Sequence, residues 1–215
     1  MKILYEDNHL IVAYKERGIL SQKDISNEDD MLTLLKDYIK NKYHKEGNVY
    51  LGLVHRLDRN TSGIMVFART SKAASRLNEQ IINNEFHKKY LAIIEGKVDN
   101  KGTLINKIKK DEKLLKAFIG EEGKEAILNY QLIETKEDKS LIEIELITGR
   151  FHQIRAQFAN INHPLYGDHL YGSHKYDRYF LDAYYLSFLH PISKERLVFK
   201  LIPHDGLFSE FDSLK

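Results

Sequence analysis

The chain has 215 residues, 42% of them hydrophobic and 11% aromatic, with a formal net charge of +2, an isoelectric point near 8.5 and no cysteine. That length suits one largish domain with a substantial core. The missing thiols exclude disulfides, cysteine-based zinc sites and a cysteine nucleophile. The opening MKILYEDNHLIVAYK lacks the long apolar run of a signal peptide or membrane span, so a cytoplasmic protein without membrane contact is expected.

In chain order, ILYED and HLIVAYK read as two strands joined by a tight turn at Asp7 and Asn8. DDMLTLLKDYIKNKY then changes period. Leu32, Leu35, Tyr38 and Ile39 recur at helical spacing and Asp29 or Asp30 can cap the start, which predicts a helix. VYLGLV is expected to be a strand running into HRLD, and GIMVFART the strand leaving it. Ser71 can cap a second helix, KAASRLNEQIINNE, whose stripe holds Ala74, Leu77 and Ile81. KKYLAIIEG returns to strand, with shorter strands around TLINKIKK and LLKAFIG. AILNYQLIET and SLIEIELIT form a hairpin across KEDK, and YLSFLHP and RLVFKLIP another across residues 192–195. Between these hairpins a third helix is expected to begin near Thr148 and Gly149 and to carry RFHQIRAQFANI. Many strands, few helices and short connections imply a single α+β domain over residues 1–215, a mostly antiparallel mixed sheet with helices packed on it.

The stretch GLVHRLDRNTSG sets Asp58 between Arg56 and Arg59, near His55, and ahead of a turn in which Gly63 can take positive φ. Local sequence leaves two readings open: a turn-capping surface ion pair, or a catalytic carboxylate kept ionised at a strand end. In TGRFHQIRAQFANINHPLYGDHLYG, helical spacing sets Arg150 with Gln153 and His152 with Arg155, while Phe151, Ile154 and Phe158 make the apolar stripe. A partly buried Arg155 calls for a carboxylate, and Asp58 is the expected partner. His163, Pro164, Gly167 and Asp168 read as a loop. Tyr90 lies in a strand after Lys88 and Lys89, where a ring could stack on a base while ammonium groups meet phosphate; a core tyrosine with solvated lysines is the alternative. Further basic residues gather at 107–110, most simply as a solvated face.

HRLDRNTSG, HKKYLAIIEG and TGRFHQIRAQFANINHPLYGDHLYG, in this order, resemble the RluA family of RNA pseudouridine synthases. ILYEDNHLIVAYKERGIL is similar to the family's first hairpin and YYLSFLHPISKERLVFKLIP to its last. Glu16 stands where the family usually has proline after the lysine, and Asp182 precedes Ala183 where a histidine is common. The resemblance begins at the first residues, so no separate N-terminal S4-like RNA-binding domain is expected. It implies the pseudouridine synthase fold and conversion of uridine in structured RNA, ribosomal or transfer, to pseudouridine. Asp58 would be the catalytic carboxylate, Arg155 its partner and Tyr90 the active-site ring. His55, Arg56, Arg59, Lys88, Lys89, Arg150, His152 and Gln153 would meet RNA. Neither cofactor nor metal is implied, no obligatory protein partner is evident, and a monomer is expected. Three other readings compete. A glycoside hydrolase needs a second carboxylate, which no comparable motif supplies. A metal-dependent nuclease would use His55, Asp58 and His152, with arginines set against the cation. The third is an RNA-binding protein that retains the fold without catalysis.

Overall fold

The computed structural model describes residues 1–24 and 28–215. It has the α+β composition read from the sequence, and every named strand pair with a recorded register is antiparallel. The chain gathers into two compact units, Met1–His87 with Tyr185–Leu201, and Lys88–Tyr184 with Ile202–Lys215.

In the first unit β1 (Lys2–Glu6) and β2 (Leu10–Lys15) form the expected hairpin. Asp7 fixes its turn by accepting the N–H groups of His9 and Leu10, both at 2.7 Å. β2 pairs along β4 (Ser62–Ala68), from Leu10 opposite Ala68 to Lys15 opposite Gly63. The strand expected from VYLGLV is cut to β3 (Gly52–Leu53), which pairs only with Ala68 and Phe67. The N–H of the next residue, Val66, goes instead to the His55 ring. After β10 (Leu181–Leu189), β11 (Arg196–Lys200) pairs back on it from Tyr185 to Leu189.

Helix α1 (Met31–Tyr43) buries Met31, Leu35 and Ile39. Of the two candidate caps Asp30 is used, accepting from Thr33 N (3.1 Å) and Thr33 Oγ1 (2.6 Å). Helix α2 (Ser71–Ile82) is capped one residue earlier than expected, by Thr70, which accepts from Ala73 N at 3.1 Å. Its Ala73 and Leu77 join Leu10, Val12, Ile64, Val66, Phe86, Leu186 and Phe188 in a core where the rings of Phe86 and Phe188 stack 5.6 Å apart.

In the second unit the order is β5 (His87–Glu95), β9 (Lys139–Leu146), β8 (Lys124–Lys136), β6 (Lys101–Asp111) and β7 (Lys116–Ile119). Tyr90 lies opposite Ile144, which lies opposite Tyr130, so these side chains share one face. Helix α3 (Gln153–Asn160) covers it, with Phe158 edge-on to Tyr130 at 5.5 Å and Ala156 against Ile108, Ala117 and Ala126. This helix starts later than expected. His152 is left-handed (φ 49°), a conformation that a right-handed helix excludes, so Arg150 precedes the helix rather than lying on it.

The two bonds to Thr33 make Asp30 the anchor of the first turn of α1. Asp30→Ala is expected to cost about 1 kcal/mol, read as a lower urea midpoint at unchanged slope.

Candidate active site

Asp58 sits in a loop between β3 and β4, half-buried, and the backbone on either side of it is pinned. On the preceding side, the buried Ser21 hydroxyl accepts from Leu57 N at 3.0 Å and donates to Leu57 O at 2.7 Å. On the following side, the fully buried Lys15 donates to Arg59 O at 2.9 Å and also to Ile19 O (2.7 Å) and Glu16 O (3.2 Å). Gly18 N adds a bond to Arg59 O at 3.0 Å, and Thr61 N closes a turn onto Asp58 O at 3.0 Å. Gly63 takes the positive φ (137°) that the sequence allowed. The sequence predicts Asp58 at a strand end; the structure places it in the loop from β3 to β4, whose backbone is held by Lys15 and Ser21.

The neighbours of Asp58 divide by role. Arg56 is exposed. Arg59 is exposed too, and its guanidinium meets Glu28 at 2.8 Å, a surface pair that a phosphate could displace at little cost. His55, expected to meet RNA, has partners within the protein. Its Nε2 accepts the Val66 N–H at 3.1 Å and its ring lies edge-on to Phe86 at 5.3 Å, so the imidazole closes a sheet edge.

In the second unit Tyr90 is buried on the face that α3 covers. Strand alternation puts Lys88 on the same side and Lys89 on the other. Lys88 extends to the backbone of Gly149, where an added Cβ would lie 3.8 Å from its Nζ, and lost hydration lowers its pKa from the usual lysine range. Lys89 is instead paired with Glu143 at 2.7 Å, and Glu143 also accepts from Tyr184, so Lys89 does not join Tyr90 in facing a substrate there.

Arg155 is buried, as expected, and the carboxylate that grips it within this unit is Asp168. Nε donates to Oδ2 at 2.7 Å and Nη2 to Oδ1 at 2.8 Å, a bidentate pair with Asp168 only 1% exposed. The rings of Tyr179 and Tyr171 lie 4.5 Å and 5.0 Å from the guanidinium carbon. Asp58, the partner offered by the sequence, belongs to the first unit. Gly167 lets the Asp168 loop turn: its φ is 85°, and an added Cβ would come within 2.1 Å of Arg178 O. The sequence showed this segment only as a loop; its one signal was an acidic residue after a turn glycine.

The third bond of Arg155 decides the state of His152. Nη1 donates to His152 Nε2 at 2.8 Å, so that nitrogen carries no proton, and Nδ1–H points to Tyr171 Oη at 3.1 Å. Burial, Arg155 and Lys110 together lower the His152 pKa to about 3. The ring, expected from the resemblance to meet RNA, is stacked on Phe151 at 3.8 Å. Gln153 is tied to the backbone around it. It is buried, its Oε1 accepts from Thr148 Oγ1 and Arg150 N (both 2.9 Å), and its Nε2 donates to Ile127 O at 3.1 Å. Arg150 remains exposed, with Nε on Glu125 O at 2.7 Å.

Residues 9–160 match the family model described as RNA pseudouridylate synthase, a span that includes Asp58, Tyr90 and Arg155. The chain belongs to this family. It is 36% identical over 171 residues to the ribosomal large subunit pseudouridine synthase D of Xylella fastidiosa, covering 79% of this chain and 51% of that protein. An uncharacterised RNA pseudouridine synthase of Bacillus subtilis is 37% identical over 205 residues, covering 92% of this chain and 67% of the relative. The chain thus spans about half the length of the synthase D relatives of Xylella fastidiosa and Xanthomonas campestris. In fold it is similar to human RNA pseudouridylate synthase domain containing 4, with a TM-score of 0.78 at 23% identity over 99% of this chain and 91% of that one. Among the described residues, no helix is long and apolar enough to cross a membrane.

Two outcomes follow from the Arg155 cluster. Arg155→Met leaves Asp168 buried without its cation and is expected to destabilise by about 3–5 kcal/mol, measured by urea unfolding. His152 is neutral when folded but titrates near 6.5 when unfolded, so its contribution is fully present above pH 6.5 and is lost progressively as pH falls toward 3. His152→Gln should therefore lose less melting temperature than the unsubstituted protein between pH 6.5 and 4.

Proposed function

We propose that residues 1–215 form the catalytic domain of a synthase that isomerises uridine in RNA to pseudouridine, with Asp58 as its reacting carboxylate. The observation that carries this reading is the family match over residues 9–160, reinforced by a loop that fixes the backbone on both sides of Asp58. The names of the relatives favour ribosomal RNA as substrate. The reaction breaks the glycosidic N–C bond, turns the uracil and rejoins it through carbon. An ionised carboxylate serves it by attacking the sugar or uracil, or by taking a sugar proton, and each route requires a fixed distance to the ribose.

In this reading Tyr90 is the ring offered to the uracil, and Arg155 is held within its own unit by Asp168. The bidentate bond to Asp168 holds the Arg155 guanidinium in one orientation. The target base has to leave its stack, at a cost of a few kcal/mol. Of the residues expected to meet RNA, Arg56, Arg59 and Arg150 are exposed cations that can offset that cost by holding phosphate. The products conserve all atoms of the substrate, so no redox partner or hydrolytic water enters the balance. The place of action in this reading is the cytoplasm.

Tritium release from RNA labelled at C5 of uridine tests the proposal on ribosomal and transfer RNA transcribed without modification. Asp58→Ala should lower release on the order of 10³-fold or more, while RNA affinity stays close to that of the unsubstituted protein because no phosphate contact is lost. Binding without release by the unsubstituted protein would make it a binding module instead.

A further inference from the structure

We propose that Ser21 is a positioning residue for Asp58, a role that rests on the reading of Asp58 as the reacting carboxylate. The hydroxyl engages both backbone polar groups of Leu57, the residue before Asp58: it accepts the N–H at 3.0 Å and donates to the carbonyl at 2.7 Å. A single side-chain atom thereby does what a neighbouring strand does in a sheet, holding both backbone groups of one residue. Ser21 is 5% exposed and Leu57 7%, so water cannot take over either bond at no cost. The Leu57 carbonyl carbon is bonded to the Asp58 nitrogen, so the orientation of this peptide sets where the Asp58 side chain begins.

Ser21 can act as a fixed point because its own neighbour is held twice. Leu20 N donates to Asp29 O at 3.1 Å and Leu20 O accepts from Met31 N at 2.8 Å, across the capped start of α1. The path thus runs from the Asp30 cap through Leu20 and Ser21 to Leu57, ending at the carboxylate. Lys15 anchors the other side through Arg59 O. Ser21 differs from Lys15 in one useful respect: removing its hydroxyl deletes one oxygen, leaves the core otherwise filled, and frees one residue's orientation.

Misplacement of a reacting group by about 1 Å costs on the order of 100-fold in rate. Single-turnover tritium release with the full chain in excess over ribosomal RNA, well below the melting temperature, should therefore fall on the order of 10- to 100-fold in Ser21→Ala. RNA affinity and binding stoichiometry, which fix the folded fraction, should stay unchanged, and Ser21→Thr, which keeps the hydroxyl, should recover the rate. An unchanged rate in Ser21→Ala, or a fall no larger than the loss of folded fraction, overturns the proposal. Asp58→Ala, measured on the same RNA, separates the two failures. If it retains turnover, the reading of Asp58 itself fails; if it is inactive while Ser21→Ala is fully active, only the positioning role fails.

Discussion

A carboxylate that reacts at a fixed distance needs a fixed backbone, and the Asp58 loop has no strand partner or helix to supply one. Its buried peptide groups are instead satisfied by two side chains reaching in from the first third of the chain, Ser21 onto Leu57 and Lys15 onto Arg59. A lysine ammonium has three N–H donors, and Lys15 donates to carbonyls of residues 16, 19 and 59. The charge is fully buried, and these carbonyl dipoles help to offset the loss of water.

The second unit meets a related need with an ion pair. Arg155 enters the sheet-facing side of α3, where a lone guanidinium would be strongly destabilising. Asp168 binds it bidentately, His152 accepts from Nη1 and two tyrosine rings lie within 5.0 Å of its guanidinium carbon. These contacts fix the tautomer of His152, and Tyr171 passes the order on to the backbone of Ala117 in β7. The Arg155 and Asp168 pair is buried, whereas Arg56 and Arg150 are exposed and can hold phosphate.

Most of the fold was legible because its elements obey local rules. The Asp7 turn, α1 with its aspartate cap, and the hairpin from AILNYQLIET to SLIEIELIT follow from turn chemistry and apolar period, and the structure contains all three. The departures also have local causes. β3 shortens because His55 takes the Val66 N–H, and α3 starts late because His152 is left-handed and Gln153 ties down the preceding loop. His55, Lys89, His152 and Gln153 are expected from the family resemblance to meet RNA, and in the structure each also has a partner within the protein. Their partners are backbone groups, Glu143 and Arg155, none of which spacing along the chain reveals.

By itself the sequence determined the α+β class, the order of strands and helices, the absence of thiol chemistry and the three ordered motifs that place the chain in its family. Each of these is a property of residue type and short-range spacing. Only the tertiary structure decided that Asp168 grips Arg155, that Lys89 turns away from the face of Tyr90, and that Ser21 and Lys15 hold the Asp58 loop. The last of these spans 36 and 44 residues of chain. Hydrogen bonds of that reach depend on where folding brings a buried donor beside an unsatisfied carbonyl, and no periodicity along the sequence records it.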